Sequence, residues 1–305
     1  MICDTDTRIW SSRDELGPVL GGLLRRAAAD RLVVTEANED AHAVAMRPVA
    51  RAFVLGSKAR RLQCDQRNEV LALAIRSRPD RLVGFAGIDP LSPDWRDELE
   101  RAQDLGFAGI SVSPSLQGCP PTHAQAMRLW ERCVEKGLPV VVSRPTPMPP
   151  AAIMECDRPT HWDEALRSFP SLRVLFASFG TPYIEETLIL LAKFENTYTH
   201  CAASLRRPMD AYRWLCAAAD AGVLGKVLFA SGFPFETPAA ALERLYGLTV
   251  AIHGTGLPTL PRRELQNIAQ RNALALLGIR DRGTLLVDGE QQALLTAAES
   301  LRQAE

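Results

Sequence analysis

Residues 173–201 read RVLFASFGTPYIEETLILLAKFENTYTHC: a short apolar run, a helical stretch and a second short run. The two short runs, at 173–177 and 197–201, are rich in β-branched and aromatic residues and predict strands. A strand, a crossover helix and a second strand in this order are typical of a parallel sheet. The stretch therefore predicts an α/β fold.

The same alternation continues along the chain and predicts eight strands. They lie at 2–7, 52–56, 82–88, 108–112, 139–142, 173–177, 197–201 and 226–230. Between them, Thr122 and Gly137 bracket one predicted helix, and two others end before Pro79 and Pro170. Eight such units favour a single (β/α)8 TIM barrel, for which roughly 250 residues is typical. The alternative, an open doubly wound sheet, normally has a Gly-rich phosphate turn after its first strand, and this chain has none there.

The barrel is predicted to span residues 1–280 as one domain, with 281–305 as a C-terminal extension. That extension has an amphipathic pattern and predicts an additional helix packed on the barrel or on a partner subunit. The first crossover, 11–51, is long and apolar in its middle, which predicts a helix or two. The Pro-rich connection 144–159 predicts a stiff rim beside the barrel mouth.

Composition excludes several classes of partner. The 305 residues include 35 basic and 36 acidic ones, for a net charge of −1, so we expect neither nucleic-acid nor membrane binding. No signal peptide or membrane-spanning run is found, and the seven cysteines form no C-x-x-C pair. These features predict a cytoplasmic protein with reduced thiols, acting on small molecules or on other proteins.

The first strand carries an unusual set of charges. Asp4, Asp6 and Arg8 stand at alternate positions in MICDTDTRIW and would share one face of a regular strand. On that face the carboxylate of Asp6 and the guanidinium of Arg8 can form an ion pair. The five histidines form no pair at metal-ligand spacing.

Several segments, in order, resemble the amidohydrolase-related family of metal-dependent barrels, which includes small-acid decarboxylases and lactone or amide hydrolases. They are ICDTDTRIW, NEVLALAIRSRPDRLVGFAGIDP, LGFAGISVSPSLQGCPP, CVEKGLPVVVSRP, FPSLRVLFASFGTP, NTYTHCAA, KVLFASGFPFETPAAAL and NIAQRNALALLGI. The resemblance covers most of the chain. It implies a TIM barrel, and it implies hydrolase or decarboxylase activity.

The resemblance also implies metal ligands at fixed places. These are two histidines after strand one, one histidine each after strands five and six, and an aspartate after strand eight. This sequence has instead Asp6, Arg8, Ser143, Ser178 and Gly232 at those places, and Ser113 where a further histidine is frequent after strand four. The resemblance therefore implies the fold without the metal ligands.

Elementary electrostatics disfavours a metal beside Arg8. A catalytic zinc needs about three ligands from His, Cys, Asp or Glu, and these positions supply only Asp6. A divalent ion roughly 4 Å from a guanidinium would be repelled by about 8 kcal/mol at an effective dielectric constant of 20. We therefore expect no metal and no other cofactor.

The candidate functional residues lie at predicted strand ends. Arg8 and Arg144, with Ser143 and Ser178, are candidate ligand-binding residues for a small carboxylate or another anion, since arginine forks suit such anions. The alternative for Arg144 is an ion pair with Asp157.

Asp6 and His200 are candidate proton-transfer residues, although a hydrogen-bonded structural histidine is the simpler interpretation of His200. Cys201 follows His200 without forming a nucleophile motif. Cys119 is a candidate exposed thiol, and Trp10 and Trp162 are candidates for the rim or the core.

Three hypotheses for the function follow. The first is a non-catalytic pseudoenzyme that serves binding or assembly, as a homo-oligomer or with an active paralogue. The second is a metal-independent hydrolase or decarboxylase that acts on a small carboxylate held by arginines. The third is a metal-dependent hydrolase with relocated ligands.

Overall fold

The computed structural model describes residues 1–29, 37–144, 147–252 and 254–281. Eight parallel strands form a barrel in which each strand pairs with the next along the chain. They are β1 Cys3–Thr7, β2 Arg51–Leu55, β3 Leu82–Gly87, β4 Gly109–Val112, β5 Val140–Val142, β6 Val174–Phe176, β7 Thr197–His200 and β8 Val227–Leu228. All eight predicted strands are confirmed, with each end within two residues of its predicted position.

Hydrogen bonds between β1 and the segment after β8 bring the two edges of the sheet together. The amide of Thr5 donates to the carbonyl oxygen of Phe229 (3.1 Å), and the amide of Gly232 donates to that of Asp6 (3.0 Å). Thr7 and Phe233 form a further parallel bridge. The single (β/α)8 barrel is therefore confirmed, and the open-sheet alternative is wrong.

Helices surround the barrel in the described part of the chain. They are α1 Gly17–Ala29, α2 Glu39–Ala45, α3 Asn68–Arg76, α4 Trp95–Asp104, α5 Pro114–Gln117, α6 Ala124–Glu135, α7 Trp162–Ser168, α8 Ile184–Lys193, α9 Ala202–Leu205, α10 Pro208–Asp220, α11 Pro238–Ala251, α12 Arg262–Gln270 and α13 Ala273–Leu276. The first crossover contains α1 and α2, as predicted. Among these described helices, none is long and apolar enough to cross a membrane.

Some local predictions need correction. The N-cap of α6 is His123, whose Nδ1 accepts a hydrogen bond from the amide of Gln125 (3.2 Å), so the prediction of Thr122 was wrong. A hairpin of two short strands, Lys58–Ala59 and Cys64–Asp65, follows β2 and was not predicted. The predicted C-terminal helix lies outside the described residues.

The core has an inner and an outer layer. Residues of α13 pack against the inner layer at the amino-terminal ends of the strands. The strand residues of this inner layer are Phe53, Leu55, Phe85, Val141, Leu175, Tyr198 and Leu228. In the outer layer, Trp162 is fully buried, with its ring 4.8 Å from Trp130 and 5.8 Å from Phe176. Trp162 is thus a core residue, and its alternative placement at the rim was wrong.

Strand β1 contains one extra residue. Asp4 lies opposite Ala52 and Thr7 opposite Val54, so three steps along β1 match two steps along β2. Such an irregularity changes which side chains point to each face. It explains why Cys3 packs in the inner cluster while Asp6, three residues later, also lies inside the barrel mouth.

The outer layer leads to a stability prediction. We expect Trp162→Ala to lower the free energy of unfolding by about 3–5 kcal/mol, because it leaves a cavity between Trp130 and Phe176. Urea unfolding followed by circular dichroism measures the loss. Leu73→Ala, at a helix position that is 65% exposed, is the control and should change stability by about 0.5 kcal/mol or less. Equal stability of the two variants would contradict the assignment of Trp162 to the core.

Candidate functional site

The carboxyl ends of the strands surround a cavity of about 90 Å³. This end of a (β/α)8 barrel carries the active site in characterised enzymes of this fold. Polar side chains from the strand ends form the floor, whereas Trp10 and leucines of α1 form an apolar wall. The predicted residues Asp6, Arg8, Ser143, Arg144 and Ser178 all line this cavity; their role in binding stays a prediction.

Arg8 crosses the floor of the cavity. Its Nη2 donates to Ser143 Oγ after β5 (2.7 Å), and its Nη1 donates to Ser57 Oγ after β2 (3.1 Å). Nη2 also lies 3.5 Å from Asp6 Oδ1, so the predicted ion pair is present. Both charged side chains are largely buried, at 15% and 13% exposure. The guanidinium thus ties three strands together at the centre of the mouth.

Asp6 also faces His200, at the end of β7. Asp6 Oδ2 lies 3.6 Å from Nε2 of His200, which is fully buried. The Nδ1 of His200 faces the amides of Ser178 (3.4 Å) and Ala202 (3.3 Å), which assigns the ring proton to Nε2. Burial lowers the pKa of His200, and the charge of Asp6 opposes this shift only in part. The two proton-transfer candidates are therefore adjacent, and Asp6 is the one that faces the cavity.

Asp4, two residues before Asp6 on β1, is fully buried. Its Oδ1 accepts hydrogen bonds from the amides of Asp6 (3.2 Å) and Ser231 (3.0 Å). Its Oδ2 has no hydrogen-bond partner among the described residues. Burial raises the pKa of Asp4 to about 7, although the hydrogen bonds from Ser231 oppose the shift.

Two arginines at the cavity lack an ion-pair partner in the described part of the chain. Arg144 follows β5 and Arg206 follows α9, and no described carboxylate lies within 4 Å of either one. The predicted Arg144–Asp157 ion pair is not formed: Asp157 accepts a hydrogen bond from the amide of Ser115 (2.8 Å) and influences Arg144 only at longer range. Burial lowers the pKa of both arginines, yet a guanidinium stays charged at neutral pH.

Lys58 also lines the cavity, but it is neutralised. Its Nζ lies 2.7 Å from Asp65 and 2.5 Å from Glu98. The cations available for a ligand are therefore concentrated at Arg144 and Arg206, on the side of β5 and β7.

The residues at the family's metal positions do not fit a divalent ion. Arg8 places its own cation between Asp6 and Ser143, and serine hydroxyls at 143 and 178 are poor ligands. Gly232 has φ +75°, a backbone conformation that favours glycine, and a Cβ there would lie 3.3 Å from Ala202 Cβ. Residues 1–29, 37–144, 147–252 and 254–281 contain no group of three His, Cys, Asp or Glu side chains able to hold a metal.

The cysteine candidates are unsuited to nucleophilic chemistry. Cys201 is fully buried with its Sγ 3.5 Å from the carbonyl oxygen of Leu228, and burial raises its pKa to about 12. Cys119 is also buried, and burial raises its pKa to about 12, so the expectation of an exposed thiol was wrong. Neither thiol forms a thiolate near neutral pH.

Sequence reasoning missed several residues of the cavity. Arg206 lies just beyond NTYTHCAA, and this position after strand seven was a signal that could have identified it. Ser57 follows β2 in the same way. Leu20 and Leu23 of α1 gave no such signal, because only the fold brings α1 over the mouth.

Comparison with known families identifies the class of protein. The family model described as Amidohydrolase matches residues 3–279, and the chain belongs to this family. A search of curated protein sequences finds no match.

Solved structures show the same fold at low sequence identity. An uncharacterised TIM-barrel protein from Bordetella bronchiseptica is 18% identical, with a TM-score of 0.71 over 91% of this chain and 99% of that one. A dihydroxybenzoic acid decarboxylase from Polaromonas sp., with bound manganese and 2-nitroresorcinol, is 17% identical, with a TM-score of 0.63 over 91% and 96%. A probable 2-pyrone-4,6-dicarboxylic acid hydrolase from Acinetobacter baumannii, with bound citric acid, is 16% identical, with a TM-score of 0.61 over 91% and 99%.

The buried carboxyl of Asp4 leads to a prediction about pH. Because its pKa is raised in the folded state, the folded protein keeps a proton that the unfolded chain releases between about pH 4 and pH 7. Stability should therefore fall as the pH rises through this window, by about 1.4 kcal/mol per pH unit at most. Asp4→Asn cannot titrate and should lack this contribution.

Urea unfolding at pH 5 and pH 7 measures the effect. Between these values wild type should lose about 2–3 kcal/mol more than Asp4→Asn does. Asp80→Asn, at an exposed position, is the control and should follow wild type. Parallel pH profiles for wild type and Asp4→Asn would show that Asp4 does not titrate in this range.

Proposed function

We propose that this amidohydrolase-family barrel binds a small organic carboxylate in its mouth through arginines, without a divalent metal and without catalysis. The observation that carries the proposal is the position of Arg8. Arg8 itself, its ion-pair partner Asp6 and its hydrogen-bond partner Ser143 stand at places where the family resemblance implies metal ligands. Ser57 accepts a further hydrogen bond from the same guanidinium. The positive charge at these places is thus supplied by the side chain of Arg8.

The remaining charges of the cavity support an anionic ligand. Arg144 and Arg206 have no described carboxylate within 4 Å, whereas Lys58 has two. A guanidinium forms strong, directional hydrogen bonds with carboxylates. The similar structures from Polaromonas and Acinetobacter contain an aromatic inhibitor and citric acid, and the enzymes are named for carboxylic acid substrates, which agrees with a carboxylate ligand here.

A non-catalytic role agrees with the remaining chemistry. Cys64 lines the cavity, but burial raises its pKa to about 12, and His200 is fully buried behind Asp6. No activated nucleophile is found among the described residues of the cavity. Assembly with a second copy or with an active paralogue, and a location in the cytoplasm, stay predictions; all seven cysteines lie in the described ranges and are free thiols, which supports the cytoplasm.

Calorimetry with benzoate tests the proposal. We expect benzoate to bind with equal affinity before and after treatment with EDTA, because the arginines supply the positive charge. Arg144→Gln should weaken binding about tenfold or more, since it removes a charge-assisted hydrogen bond. Arg213→Gln, at an exposed position on α10, is the control and should bind as wild type does.

Two results would contradict the proposal. One is the absence of benzoate binding, and the other is loss of binding after EDTA with recovery on addition of manganese or zinc. Benzyl alcohol, which matches the ring but lacks the charge, should bind much more weakly than benzoate.

A second candidate function is a metal-independent decarboxylase or hydrolase. The observation that favours it is the placement of Asp6, which faces the cavity between Arg8 (3.5 Å) and Nε2 of His200 (3.6 Å). A carboxylate in this position can accept or return a proton beside a ligand held by arginines.

Turnover assays distinguish the two functions. If the chain is catalytic, EDTA-treated protein should release carbon dioxide or open a lactone, and Asp6→Asn should lower kcat about 100-fold or more. Asp80→Asn, at an exposed position that does not line the cavity, is the control. We expect no turnover from wild type, and turnover that depends on Asp6 would establish the second function instead.

A further inference from the structure

The mouth of the barrel is divided into a cationic half and an apolar half. Arg144 follows β5 and Arg206 follows α9, directly after β7. The apolar wall belongs to α1, in the connection that follows β1. In an eight-stranded barrel β1 lies across from β5, so Arg144 and α1 lie on opposite sides of the cavity, with Arg206 between them on the side of β7.

The apolar half is a surface that a ligand can cover. Four leucines line the cavity. Leu16 and Leu24 are buried, whereas Leu20 and Leu23 are only half-buried. Trp10 continues the same wall. Covering half-buried leucines with an apolar group is favourable in proportion to the area removed from water.

The cationic half has unused hydrogen-bond donors. The Nε of Arg144 is buried without a hydrogen-bond partner among the described residues. Arg206 lies with its guanidinium 5.9 Å from the ring of Phe235 and has no described carboxylate within 4 Å. A buried donor without a partner is costly, and a carboxylate would satisfy it.

Among the described residues that line the cavity, the apolar half provides no unpaired cation for a second carboxylate. Of the other cations that line the cavity, Lys58 is already neutralised by Asp65 and Glu98. Arg8 is likewise held by Asp6, Ser57 and Ser143. A dicarboxylate would therefore place one of its charges against leucines.

We infer that the ligand is an amphipathic monocarboxylate that lies across the mouth, with its head on Arg144 and Arg206 and its apolar tail on Leu20 and Leu23 of α1. This inference rests on the proposed function and names the ligand class for the same site. It predicts a dependence on tail length and on the number of charges that carboxylate binding alone does not require.

Calorimetry in the presence of EDTA, with butyrate, hexanoate and octanoate, tests the tail. Affinity should rise about threefold to fourfold for each methylene added, because each is buried against the leucines. Suberate has the same number of carbons as octanoate and a second carboxylate, and it should bind at least about tenfold more weakly. These comparisons use the wild-type chain and need no variant.

Variants then assign the two ends of the ligand. Leu23→Ser should flatten the dependence on chain length, because it lowers octanoate affinity much more than butyrate affinity. Ile189→Ser, at a position on α8 that is 62% exposed, is the control and should keep the wild-type dependence. Arg206→Gln should lower octanoate affinity about tenfold or more without changing the increment per methylene. Thermal unfolding of each variant checks that it is folded.

The outcomes separate the inference from the proposed function. Equal affinities for butyrate and octanoate, or for octanoate and suberate, overturn the inference while carboxylate binding stands. No binding of any carboxylate, benzoate included, overturns both. Binding that rises with chain length and rejects suberate supports both.

Discussion

The structure of the barrel mouth depends on the contacts of the Arg8 guanidinium. It joins β1 to the ends of β2 and β5 through two serine hydroxyls, and it offsets the charge of Asp6. An isolated charge at 13–15% exposure would cost several kcal/mol, so neither Asp6 nor Arg8 is independent of the other. The small hydroxyls at 57 and 143 leave room for the guanidinium, whereas larger side chains there would compete for the same space.

This arrangement explains how one barrel can keep its fold and change its site. The inner cluster and the outer layer of tryptophans lie below and around the mouth, and their packing does not involve Arg8. Residues at the carboxyl ends of the strands can therefore change with little effect on the core. The family model described as Amidohydrolase matches nearly the whole barrel, from residue 3 to residue 279. The side chains at the strand ends nevertheless differ from the metal ligands that the family resemblance implies.

The sequence predicted most strands well because β2, β3, β5, β6 and β8 are apolar runs that are almost entirely buried, which is a strong local signal. The polar strands β1 and β7 were found from the regular alternation of strands and helices instead. The sequence did not predict the hairpin of residues 58–65, since two residues per strand carry no periodicity. The cap of α6 was misassigned because Thr122 and His123 can both accept a hydrogen bond, and only the geometry decides between them.

At the site, Arg8 and Arg144 were recognisable from their strand-end positions. Two features of the site could not be predicted, because they depend on tertiary contacts and not on a local pattern. One is the position of the α1 leucines at the cavity, and the other is the absence of an ion pair between Arg144 and Asp157.

The extra residue in β1 also affects how the mouth can be redesigned or aligned. Three steps of β1 pass two steps of β2 between Asp4 and Thr7, which places Cys3 in the inner cluster and Asp6 in the cavity. The number of residues in this strand therefore determines which of its side chains point into the cavity. Deleting one residue there would preserve every neighbouring amino acid and still exchange the side chains that face the cavity for those that face the helices.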